Sequence, residues 1–81
     1  MGTKNEELIR FGIHIKDLRK SKCLSQDDVV VNSNNLTKST VSDIENGKRN
    51  LAFTTFLDLA RGLNVSPLEL IKYFEKENSY S

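Results

Sequence analysis

The sequence predicts an all-α fold, a compact bundle of five helices, and three observations predict it. Apolar residues recur at three- and four-residue intervals between Lys4 and Lys22. The polar stretch from Ser25 to Asn50 carries start and stop signals for two short helices with a break between them. An apolar run from Leu51 to Leu63 then leads into Ser66-Pro67-Leu68-Glu69, the strongest helix start in the chain.

In chain order, residues 4–22 place Leu8, Phe11, Ile15 and Leu18 on one stripe, with Ile9 beside it, which predicts a core-facing helix. Gly12 costs that helix about 1 kcal/mol against alanine, too little to break it. Lys16, Arg19, Lys20 and Lys22 gather at its end, where cations suit the helix dipole. His14 lies off the stripe. No second histidine or nearby cysteine can join it, so it reads as a solvated or half-buried surface residue and not as a ligand or base.

Ser25 with Asp28 three residues on forms a capping box, and Val29 and Val30 supply the apolar side of the second helix. The run Asn32-Ser33-Asn34-Asn35 then interrupts, because short polar side chains compete for backbone hydrogen bonds. Thr37 caps the third helix. Val41 and Ile44 share its buried face, while Lys38, Ser39, Ser42 and Asp43 point outward. Asn46-Gly47 stops it, and Lys48 and Arg49 follow at once. A helix whose outward face is so uniformly small and polar suits being read against a partner.

From Asn50 to Leu63 the residues Leu51, Phe53, Phe56, Leu57, Leu59, Ala60 and Leu63 predict a densely packed fourth helix, core and not a ligand box. Asn64 takes the left-handed corner. Ser66 caps the fifth helix, Pro67 is its first residue and Glu69 closes the box. This last helix carries Leu68, Leu70, Ile71, Tyr73 and Phe74, apolar on more sides than one face needs. The surplus, assigned to Leu70, Tyr73 and Phe74, is expected to form the interface of a homodimer. The alternative folds the extra turn back onto its own domain.

Eighty-one residues make one domain, 1–81, read as an arm or tail over 1–7, a helical core over 8–77 and a frayed tail over 78–81. Such a core is too small for an enzyme with a deep cleft. With four glycines and one histidine the chain offers no nucleophile-base pair, phosphate-cradling loop or metal cluster, so neither enzyme activity nor a cofactor is expected. No apolar run approaches the ~20 residues of a membrane span and the N-terminus is not a secretory signal, which argues for the cytoplasm and against a membrane. Glu6 stands where a myristoylation motif wants Ser or Thr. The one cysteine, Cys23, excludes an intrachain disulfide and reads as a residue of a helix end, a redox or intermolecular role being the alternative. Net charge is only +1, so bulk electrostatics does not announce nucleic acid.

The joint occurrence of Ser25-Gln26, Ser39-Thr40-Val41-Ser42, Ile44-Glu45-Asn46-Gly47-Lys48 and Leu63-Asn64-Val65-Ser66, in this order and spacing, resembles the phage-repressor-like helix-turn-helix regulators, the Cro/C1-type or XRE family. The similarity runs over residues 8 to 72 and implies a lambda-repressor-like domain. It also implies a recognition helix, about residues 37–46, lying in the DNA major groove. Lys38, Ser39 and Asp43 match the family's base-reading positions. Lysine can donate to guanine, serine can serve several bases, and a carboxylate can accept from cytosine. Gln26, Thr37, Thr40, Asn46 and Lys48 match its phosphate-contacting positions, and Arg49 adds charge beside them. The resemblance also pairs Arg19 with Glu45, tying the first helix to the third; the other reading leaves Arg19 a solvated cation.

The chain departs from the family pattern in three places. One extra residue lies between Gln26 and Ser39, within Asn32 to Asn35, and Val30 stands where alanine is preferred. A longer turn would accommodate the wider crossing that valine's methyls impose. Leu51 and Ala52 replace the usual proline and cap, so a ragged start is expected for the fourth helix. The first functional reading is a sequence-specific transcriptional regulator that binds double-stranded DNA, a near-palindromic operator, as a homodimer. The alternative is an antitoxin-type module that neutralises a toxin or other protein partner and regulates its own operon.

Overall fold

Most of the described helix ends fall on a short-range signal. The computed structural model describes residues 4–77, with side chains over residues 5–72. The five helices are α1 (Lys4–Ser21), α2 (Gln26–Asn32), α3 (Lys38–Glu45), α4 (Phe53–Gly62) and α5 (Pro67–Glu77), and the described residues contain no strand. Ser25 and Asp28 form the expected capping box on α2, and the Thr37 hydroxyl accepts the Thr40 N–H at the start of α3. At α4 the N-cap is Ala52, which offers no side-chain acceptor, as the sequence implies.

Three helices end in the same way. After α1, α3 and α4 a residue with left-handed backbone follows the cap, namely Cys23 (φ 59), Gly47 (φ 71) and Asn64 (φ 59). In each case the next residue's N–H reaches back five positions: Leu24 to Arg19 O at 3.1 Å, Lys48 to Asp43 O at 2.9 Å and Val65 to Ala60 O at 3.0 Å. This arrangement satisfies carbonyls the helix leaves open. Glycine and asparagine are the usual occupants. Cysteine carries a Cβ penalty there.

The helices close round one apolar cluster, in which Ile15, Val29, Val41, Ile44, Leu59, Leu63 and Leu70 are fully buried. Gly12 lets α1 and α3 approach closely. A Cβ at that position would fall 2.6 Å from the Glu45 carbonyl oxygen, so the helix accepts a poor former to bring the two backbones together. Val30 packs half-buried against the core beside fully buried Val29.

Four expectations are corrected. Asn5, Glu6 and Glu7 belong to α1, whose first turn gains from its acidic residues, so no arm extends over residues 4–7. Phe53 is not packed but 72% exposed, because it opens α4 beyond the core while Leu51, in the preceding loop, takes the packing position. Glu69 does not close a box on Ser66; its carboxylate faces Lys72 at 3.5 Å, while the Ser66 hydroxyl accepts the Leu68 N–H and the Ser66 carbonyl the Glu69 N–H. Leu70 is 0% exposed and belongs to the core, whereas Leu68 and Ile71 are the exposed apolar residues among the described side chains of α5. The side chains of Tyr73 and Phe74, residues 1–3 and the expected tail over 78–81 lie outside the described residues.

Candidate nucleic-acid interface

The outward face of α3 is held by a polar node beneath it. Arg19 from α1 donates through Nε to Glu45 Oε2 at 2.6 Å and through Nη2 to Glu45 Oε1 at 3.2 Å, and its Nη1 reaches Leu24 O at 2.8 Å. Gln26, the first residue of α2, donates its amide to Glu45 Oε1 at 3.0 Å. Three helices thus meet on one carboxylate. Arg19 and Glu45 are both buried, and no buried side-chain polar atom among the described residues lacks a partner. A node satisfied so fully ties the C-terminal end of α3 to α1 and α2.

Gln26 also has a structural role beside the one the resemblance implies. One N–H of its half-buried amide donates to Glu45, which links α2 to α3 and leaves a second N–H and the carbonyl oxygen for another partner. Arg19 likewise leaves the basic cluster at the end of α1, and only Lys16, Lys20 and Lys22 remain exposed there.

Above the node, Lys38 and Ser39 are exposed at the first turn of α3, with Asp43 one turn further and half-buried. Lys38 Nζ lies 3.6 Å from Asp27 Oδ1, and Arg49 Nη2 lies 3.7 Å from Asp43 Oδ2. Exposed pairs of this kind contribute about 0–1 kcal/mol, so either cation can turn to another anion at little cost. Arg49 also neutralises Asp43, which eases the approach of a carboxylate to a polyanion. Thr37 and Thr40 share a 2.9 Å hydroxyl contact at the helix start. Asn46 and Lys48 are exposed at its end, where the backbone of Lys48 closes the helix. An open cleft of about 360 Å³ borders this face, with Thr40, Arg49, Thr54, Thr55, Asp58 and Arg61 among its lining.

One residue of the interface was not anticipated. Asp58 stands inside the apolar run of α4, yet it is only 6% exposed and faces the α2–α3 turn. Its Oδ1 accepts the Asn34 N–H and its Oδ2 the Asn35 N–H, both at 2.8 Å, while Arg61 Nη1 donates to Oδ1 at 2.8 Å. Burial pushes this carboxyl up, but the two backbone donors and the Arg61 guanidinium together outweigh burial and hold it below the usual carboxylate range. The available signal was a lone acid between Leu57 and Leu59 with an arginine three residues on.

A helix-turn-helix family matches residues 15–70 of the chain. The control protein C.MunI from a Mycoplasma species is 39% identical over 74 residues, spanning 90% of this chain and 99% of that protein. The chain belongs to the Cro/C1-type helix-turn-helix family. This is a family of DNA-binding transcriptional regulators, and in this member the motif is α2, its turn and α3. The restriction-modification controller protein C.AhdI from Aeromonas hydrophila has the same fold, with a TM-score of 0.73 and 38% identity over 79% of this chain and 96% of that one. The controller C.Esp1396I superposes with a TM-score of 0.75 at 31% identity, over 86% of this chain and 91% of that chain. Among the described residues no helix is long and apolar enough to cross a membrane, and no group of side chains is arranged to hold a metal ion.

Proposed function

We propose that the chain is the controller of a restriction-modification operon, a cytoplasmic regulator that binds a near-palindromic operator as a homodimer. The observation that carries this reading is the pairing of a near full-length controller relative with an exposed, polar α3 mounted rigidly on the Arg19–Glu45–Gln26 node. Docked in the major groove, the start of α3 brings Lys38 and Ser39 to base edges, with Asp43 reading a cytosine when Arg49 turns to a phosphate. Thr37, Thr40, Asn46, Lys48 and Arg49 surround that face and meet the sugar-phosphate backbone. Leu68 and Ile71, exposed on α5, supply the described part of the dimer face. A two-fold dimer then reaches half-sites roughly 34 Å apart. The similarity to controllers favours a self-contained regulator over an antitoxin.

Selection of bound sequences from a random duplex pool, at a stated salt concentration, tests the reading. A two-fold symmetric site is expected. Lys38→Ala should then lower the preference among sequences by about 1–3 kcal/mol, while Lys48→Ala should weaken all DNA alike and reduce the salt slope by about one ion. No enrichment above non-specific binding, or a Lys38→Ala variant with unchanged preference, would refute this placement of the reading face.

A further inference from the structure

The backbone of the α2–α3 turn is almost bare of local support. Ser33 N–H returns to Val29 O and Val30 O, and Leu36 N–H finds the Ser33 hydroxyl, but the N–H groups of Asn34 and Asn35 have no acceptor within the turn. Both go to the two oxygens of Asp58, 24 and 23 residues further along the chain. Asn32 donates its amide to Gly62 O at 3.2 Å, so α4 grips the turn at two points. Thr37, the cap of α3, follows Asn35 by two positions, and Lys38 and Ser39 come next. An error in the turn is therefore passed directly to the residues facing the bases.

We infer that Asp58 is a positioning residue for DNA reading: its carboxylate clamps the α2–α3 turn and so sets where the first turn of α3 meets the operator. The inference rests on the operator-binding reading above. An ionised carboxylate suits the task because it is acceptor-only, so each oxygen can take one N–H without a competing donor. Arg61 keeps that charge balanced at a nearly buried site. The node at Glu45 fixes the far end of α3, and Asp58 fixes the near end. Two anchors define a helix axis where one would leave it free to pivot.

Asp58→Asn keeps shape and volume but turns one acceptor into a donor facing a backbone N–H. In the full chain, amide exchange at Asn34 and Asn35 should quicken about ten-fold, the equivalent of one hydrogen bond, while Val41 and Ile44 keep their protection. The ratio of operator to non-operator affinity should fall about ten-fold, with non-operator affinity and helical content unchanged. Faster exchange with an unchanged ratio would make Asp58 merely structural and overturn the inference, as would unchanged exchange. If Asp58→Asn loses its helices, Arg61→Gln, which removes one of three donors, must lower the same ratio at least about two-fold. If the wild-type chain shows no sequence preference, the operator reading fails separately, and amide exchange alone decides whether the carboxylate holds the turn.

Discussion

Replacing Arg19 by methionine keeps most of the stem's packing but leaves the Glu45 carboxylate buried with only the Gln26 amide for company. The side chains are 11% and 3% exposed, so water cannot take the place of the guanidinium. Removing one partner of a buried pair costs about 3–5 kcal/mol, because the other charge is left uncompensated. A domain of 81 residues has a total stability of roughly 4–12 kcal/mol. Arg19→Met should therefore use up a large share of it and shift the urea midpoint by more than about one molar, given a slope near 1–3 kcal/mol per molar. The double variant Arg19→Met, Glu45→Leu removes both charges and should recover most of the loss. Urea unfolding followed by far-UV circular dichroism gives all four corners of the cycle. A single-variant cost below about 1 kcal/mol, or a double variant no better than the single, would refute the claim that this node holds α3.

Gly12→Ala should destabilise by about 2 kcal/mol, since the strain of a Cβ against the α3 carbonyls exceeds the ~1 kcal/mol gained in helix propensity; thermal unfolding checks the sign. Cys23→Gly should stabilise by about 1 kcal/mol, by removing a side chain from a left-handed position, while Cys23→Ala should gain nothing; paired urea midpoints compare the two. Acid should weaken the fold through Asp28, lowered first by the Ser25 backbone N–H and then by its hydroxyl, and through Asp58. Both carboxyls sit below their ordinary value of about 3.9, so the folded chain binds fewer protons than the unfolded one. Their contribution is complete above about pH 5 and is lost as pH falls through the depressed values. Urea midpoints measured from pH 7 to pH 3 should drop at the acid end, and Asp58→Asn should flatten that drop.

The sequence by itself determined where the helices are and which face of α3 is offered. Ser25 with Asp28, Thr37, Gly47, Asn64 and Pro67 act within one turn of their own positions, and the stripe from Leu8 to Leu18 repeats within one helix. Information of that range is written in neighbouring letters. Arg19 facing Glu45 was also legible, though only through resemblance, because nothing local ties residues 26 positions apart.

Tertiary structure decided the rest, wherever two distant elements compete for one space or one proton. Leu70 looked like surplus beside Leu68 and Ile71, and only the closure of α5 on the bundle shows that it fills the core. Gly12 looked like a minor flaw until the α3 backbone lay against it. Gln26 turned inward because Glu45 has more lone pairs than Arg19 alone can fill. Asp58 sits among leucines because two orphaned N–H groups across the cleft need an acceptor, a demand created by the turn and visible only once the chain has folded.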